Sequence, residues 1–332
     1  MKRVLTFLAA AGLLSLPAAA TAHPAPGVPR ITLGIKLLEA PVERKDDPRA
    51  SSYIIDHLAP GTTIHRKLEV SNDSGKPLKL QMYAGRAGIH KGRFVYPSDG
   101  GRNELARWVT LEPARLTLHP HTRARVRATI RVPRRAPEGE RYGVIWAQHR
   151  SAPGKHANIA MVQRVGTRVY LDIGPGGEQP SDFRITNLIP SRDRGGLPQL
   201  RTQVRNTGAR AVDITGKLML ENGPDGLAAG PFTSDQGPTL APGDTGEITF
   251  TLGTSIPKGP WTANVTLRSG LLEHTATGHL SFPDAGDGRP VRAVIASAGS
   301  NRLLWAGGAV ALVALGLLTL AARRSSRNHT AS

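Results

Sequence analysis

One order of motifs occurs twice in this chain, and it limits the fold more than any other feature of the sequence. Glu69-Val70-Ser71-Asn72-Asp73-Ser74-Gly75 matches Gln203-Val204-Arg205-Asn206-Thr207-Gly208-Ala209 in pattern. Leu118-His119-Pro120-His121 then corresponds to Leu240-Ala241-Pro242-Gly243, and Pro137-Glu138-Gly139 to Pro257-Lys258-Gly259. Between these turns the apolar residues alternate. Val126, Ala128, Ile130 and Val132 are interleaved with Arg127, Thr129 and Arg131, the period of a strand with one buried face. No long apolar stripe of helical period runs between residues 30 and 285. A repeated unit of this length is one supersecondary module present twice.

The reading is all-β, with two tandem Ig-like β-sandwich domains plus one C-terminal transmembrane helix. The first sandwich is expected over residues 30–175 and the second over 180–283, divided at Gly174-Pro175-Gly176-Gly177. Residues 284–301 read as a stalk. Both ends carry targeting signals. Lys2 and Arg3, the apolar run Val4–Leu16 and the small residues Ala18–Ala22 describe a signal peptide over residues 1–22, too short to span a bilayer. Leu303–Ala322 is uncharged and about 20 residues long, enough to cross the hydrocarbon core. Arg323, Arg324 and Arg327 follow it and place residues 323–332 in the cytoplasm. The expected protein is a single-pass type I cell-membrane protein with its bulk at the cell surface. The chain has no cysteine, so no disulfide, thiolate metal site or cysteine nucleophile is available to it, and ordinary apolar cores must hold the fold.

The formal charge of +18 points to an anionic setting, although the basic residues are dispersed along the chain and not clustered. Outside a membrane that setting is lipid headgroup, wall polymer or acidic protein; no nucleic acid is expected. Arg123, Arg125, Arg127 and Arg131 alternate along one strand and therefore share one face. That face is either ordinary solvated surface or a binding stripe.

Several segments bear a family likeness. Leu58-Ala59-Pro60-Gly61 opens a strand, Val70-Ser71-Asn72-Asp73-Ser74 makes the turn, and Trp108-Val109-Thr110-Leu111 precedes Leu116–Pro120. Val126–Pro133 and Pro137-Glu138-Gly139 continue the match. On these segments the first domain resembles the peptidoglycan-binding domain of WxL-interacting proteins of Gram-positive cell surfaces. The resemblance implies cell wall binding: a scaffold that holds cell-wall polymer, either peptidoglycan or an anionic glycopolymer, or else a surface protein.

Catalytic motifs are missing from the sequence. It contains no Gly-x-Ser-x-Gly elbow, His-Glu-x-x-His helix or phosphate-cradling loop, so the expectation is a non-enzyme without cofactors. His119 and His121 flank Pro120 and read as turn residues. Cleavage after Ala22 would expose His23 as a new N-terminus, whose amine and imidazole can chelate copper(II); a copper-binding β-sandwich is the alternative function. Ligand contact is otherwise expected from aromatic rings and the basic face. Phe94, Tyr96 and Trp108 border a Gly-rich insertion, Ala84–Arg107, and Arg123, Arg125 and Arg127 supply the charge. Trp108 has a second reading as core, as Tyr142, Trp146 and Trp261 do from their repeat positions.

Overall fold

A computed structural model of the protein describes residues 33–97, 100–151 and 161–295. The signal segment, His23 and Leu303–Ala322 lie outside the described residues, among which no helix is long and apolar enough to cross a membrane. The first sandwich faces a four-stranded sheet, β1 (Leu33–Leu37), β3 (Thr63–Asn72), β9 (Thr122–Arg131) and β7 (Val109–Glu112), in that order. Opposite lies a five-stranded sheet ordered β2 (Ile54–Leu58), β11 (Val162–Ile173), β10 (Gly139–Arg150), β4 (Leu78–Arg86) and β8 (Arg115–Leu118). Only the β2–β11 pair among these is parallel. A small hairpin, β5 (Gly88–His90) and β6 (Arg93–Val95), follows β4.

Alternation sets which residues fill the core. Along β9, Val126, Ala128 and Ile130 point inward and are buried, while Arg123, Arg125, Arg127 and Arg131 are exposed. They meet Leu68 and Val70 of β3, and Ile145 and Leu171 of the facing sheet, in one continuous cluster. Each fully buried aliphatic chain of this kind contributes about 1.5–3 kcal/mol.

The second sandwich has its own cluster around Trp261, Phe250, Phe183 and Leu188. One of its sheets joins β12 (Phe183–Arg192), β13 (Pro198–Asn206) and β18 (Thr245–Thr251); the other joins β15 (Thr215–Glu221), β16 (Ala229–Thr233), β19 (Trp261–Ser269) and β20 (Leu272–Leu280). A two-stranded piece, β14 (Val212–Asp213) with β17 (Thr239–Leu240), faces the first sandwich. The segment read as a stalk differs from expectation over its N-terminal portion. β21 (Gly286–Asp287) and β22 (Val291–Arg292) add to β12, and β23 (Val294–Ile295) adds to β20. Gly288 N donates to Pro190 O (2.8 Å) and Ala293 N to Thr186 O (3.1 Å), with Val291 and Ala293 packed against the core. Unpaired strand edges recruit such a segment because their backbone groups need partners.

The duplicated motifs act alike in both sandwiches. Asn72 is fully buried; its Nδ2 donates to Lys76 O (2.8 Å), Leu118 O (3.2 Å) and His119 O (3.0 Å), and its Oδ1 accepts from Ser74 N (3.0 Å). Asn206, equally buried, donates to Arg210 O (2.8 Å) and Leu240 O (3.0 Å) and accepts from Gly208 N (3.0 Å). Each asparagine thus ties the first repeated turn to the second. Trp108 ends a short helix, α1 (Glu104–Trp108), instead of starting a strand. Asn103 caps that helix by accepting from Ala106 N (3.0 Å), which turns Leu105 and Trp108 together into the core.

Candidate functional site

The outer face of the five-stranded sheet in the first sandwich holds most of the protein's unusual side chains. Ile145 and Ala147 of β10 belong to the core, so Tyr142, Val144, Trp146 and Gln148 project the other way. Opposite them on β11 stand Tyr170, Arg168, Gly166 and Arg164.

One end of this face is the joint with the second sandwich. Ile55, Phe94, Tyr170 and Ala211 form a third apolar cluster, with Tyr53 and Tyr142 packed against it. The Arg168 guanidinium carbon lies 5.1 Å from the Tyr53 ring centroid and 4.8 Å from that of Phe94. Asp213, on β14 of the second sandwich, draws the donors together. Its carboxylate accepts from Arg49 Nε (2.9 Å), Arg168 Nη1 (3.2 Å), Tyr170 Oη (3.1 Å) and Thr239 Oγ1 (2.7 Å). Burial first, and then the Asp213 charge, hold the Tyr170 phenol well above its ordinary range, so it remains a donor. Beside it, Glu140 Oε2 accepts from Tyr142 Oη (2.7 Å) and, across the joint, from Ala211 N (2.7 Å). Burial pushes the Glu140 carboxyl up to about 7 in spite of those two donors and the nearby Arg49. Thr239 N donates to Gly92 O (2.9 Å), and Glu178 pairs with both Arg44 and Arg210. Next to this joint a cleft of about 800 Å³ opens, with Lys91, Arg93, Asp235 and Glu247 on its walls.

The middle of the face carries Trp146. Its ring lies over Gly166, where a Cβ would come within 2.6 Å of the indole, and against Gly85 on the other side. Tyr96 meets it edge-on at 4.9 Å, and the Arg164 guanidinium sits 4.6 Å from its centroid. The expected site residues are therefore dispersed. Phe94 is buried in the joint, Trp108 is buried in the first core beneath Arg141, and Tyr96 alone of the three rings keeps an exposed face. Trp261 is core as its repeat position suggests, whereas Tyr142 and Trp146 lie outside the first core and are covered from the outer side.

Arg123, Arg125 and Arg127 stand in one row on the solvent face of the other sheet. Arg123 reaches Glu69 at 3.6 Å; Arg125, Arg127 and Arg131 make no ion pair among the described residues. Lys67 is directly opposite Arg127, Glu69 is opposite Arg125, and Glu112 of β7 is opposite Arg127, so cations outnumber carboxylates on this face. Among the described residues no group of three or more His, Asp or Glu side chains is placed to hold a metal ion.

Asp213, Glu140, Arg168 and Tyr170 were not singled out from sequence. The cue available was β11 itself, where Arg164, Gly166, Arg168 and Tyr170 alternate with core residues Val165, Val169 and Leu171 and mark a second, non-core use of that strand.

No protein-family model matches the sequence, and no curated protein sequence matches it. Solved structures align with it at low similarity. A Salmonella enterica SafA pilin–SafB chaperone complex aligns at 10% identity over 81% of this chain and 99% of that one, with a TM-score of 0.40. The Pseudomonas aeruginosa CupB2 chaperone aligns at 14% identity over 70% and 98%, at 0.36, and the E. coli chaperone DraB at 13% over 73% and 94%, also at 0.36. At these values neither partner nor activity transfers.

Proposed function

We propose that this chain is a membrane-anchored, extracytoplasmic binding scaffold of the bacterial cell envelope, and that its first sandwich recognises an anionic wall polymer. The row of Arg123, Arg125, Arg127 and Arg131 carries this reading, because its exposed guanidinium groups outnumber the facing carboxylates Glu69 and Glu112, and a polyanion neutralises such an excess. The likeness of residues 58–139 to the peptidoglycan-binding domain of WxL-interacting proteins supports it, as does the uncharged stretch Leu303–Ala322 followed by arginines. The joint built on Asp213 supports a scaffold, since it fixes one sandwich against the other.

The test is retention of the full-length protein on purified cell walls across a salt series. Wild type is expected to bind at low salt and to be released as salt rises, through displaced counterions. Arg125→Glu with Arg127→Glu is expected to lower retention at least tenfold. Undiminished binding of that variant would remove the β9 face from the account.

A surface protein is the second reading. The cleft of about 800 Å³ beside the joint favours it, because walls carrying both Lys91 and Arg93 and both Asp235 and Glu247 suit a chain segment of mixed charge.

A further inference from the structure

At the end of the five-stranded sheet remote from the joint, two hollows of about 660 and 570 Å³ share Gln81, Gln148 and Arg150 and form one groove. It runs over the outward residues of β4, β8 and β10 and into the gap between β4 and β7. From Tyr142 in the joint to Gln148 in the groove is six residues along β10, about 20 Å at 3.3 Å each. The groove is therefore separate from the cleft between the sandwiches.

Charge in this groove has one sign. Lys79, Arg102, Arg115 and Arg150 line it, no Asp or Glu among the described residues does, and none of the four cations meets a carboxylate there. Arg102 is held in place through a bond to Ala106 O (2.6 Å). Four cations without counter-charge repel one another, so an anionic occupant gains from all of them.

The polar groups between the cations are of a different kind. Gln81 and Gln148 face each other across β4 and β10, and Tyr83 Oη donates to Gln148 Oε1 (2.9 Å), which leaves the Gln148 amide N–H groups free to donate. A carboxamide offers donors and an acceptor side by side, the complement of a sugar hydroxyl, which both donates and accepts. A bare anion uses only donors. Pairing of β8 with β4 stops at Gln81, and beyond it the groove deepens onto Met82, Ala84 and Leu111, an apolar floor suited to the C–H face of a ring. The outward run from Lys79 to Tyr83 is about 13 Å long, more than one small anion occupies.

We propose that this groove seats a linear anionic glycan, its charges on Lys79, Arg115 and Arg150 and its hydroxyls on Gln81 and Gln148. The proposal rests on the wall-polymer reading and adds to it a second surface, with selectivity for sugar over charge alone. The β9 row supplies attraction; the groove supplies recognition.

The experiment is a titration of full-length protein in detergent with four probes: polygalacturonate, poly(N-acetylglucosamine 1-phosphate), inorganic polyphosphate and a neutral β-glucan. Gln81→Ala with Gln148→Ala is expected to weaken polygalacturonate or poly(N-acetylglucosamine 1-phosphate) at least tenfold while leaving polyphosphate within twofold, and Arg115→Glu with Arg150→Glu to weaken every anionic probe. The exposed single change Gln81→Ala, with an unchanged thermal midpoint, covers the case in which the double variant fails to fold. Which of the two glycans binds distinguishes uronate from phosphodiester. If wild type binds either one and the groove variants bind it equally well, the groove is overturned while the wall-polymer reading stands. Loss of polyphosphate binding in parallel with glycan in the Gln81→Ala, Gln148→Ala variant also overturns it. If wild type binds neither, both fall together.

Discussion

Replacing Asp213 by Ala should undock the two sandwiches without unfolding either. The carboxylate serves two guanidinium groups, Arg49 and Arg168, and two hydroxyls, Tyr170 and Thr239. Removing one side of a buried ion pair costs about 3–5 kcal/mol, because the other charge stays behind unpaired. Arg49 is 11% exposed and Arg168 25%, so water partly reaches both and the lower end of that range applies, about 3 kcal/mol. At about 1.4 kcal/mol per factor of ten, the undocked fraction rises about a hundredfold. Two amides report on docking directly, since Ala211 N and Thr239 N donate across the joint to Glu140 and Gly92. Their hydrogen-exchange protection should fall about a hundredfold, while Ile145 and Leu218, inside the separate cores, keep theirs. Adding Arg49→Leu to Asp213→Ala should recover some of the loss by removing an orphaned cation. Unchanged protection at Ala211 and Thr239, or an equal fall at Ile145 and Leu218, would refute the argument.

Two other outcomes follow from the same structure. The Glu140 carboxyl is raised to about 7 from an ordinary 4.5, so docking is strongest below pH 4.5, where the acid is protonated in both states. That contribution is lost as pH rises through about 7, and Glu140→Gln, which keeps an acceptor without the charge, should flatten the pH profile of Ala211 exchange between pH 5 and 8. Asn72→Ala and Asn206→Ala each strand buried carbonyls in one sandwich. Each should lower stability in urea by at least about 2 kcal/mol, in its own sandwich only; a loss below about 1 kcal/mol would show that the tie between the repeated turns is dispensable.

The asparagine ties were not legible in the sequence, since a motif order does not say which turns meet in space, whereas the repeated turns themselves were legible because they recur at matching places. The strand faces of β9 were legible for a similar reason, since a period of two needs no knowledge of the rest of the molecule. Trp146 and Tyr142 were read less well. In β10 apolar residues occupy both faces, and sequence alone does not say which face meets the facing sheet and which meets a hairpin or a second domain. Trp108 sits in a helix of five residues, too short to show a period, announced only by the cap Asn103. The joint was hidden for another reason: Asp213 is 45 positions from Arg168 and 164 from Arg49, and such pairs follow from how whole domains meet.

The β21–β23 segment alters how the second sandwich would respond to tension. Any pull on residue 295 first meets the two pairs Ala276–Ile295 and Thr277–Val294, which open in succession like a zip. Release of residues 284–295 then supplies about 40 Å of slack at 3.3–3.6 Å per residue before Trp261 and its neighbours bear load. On the proposed anchoring through Leu303–Ala322, the first sandwich would keep its hold on a wall polymer across that distance.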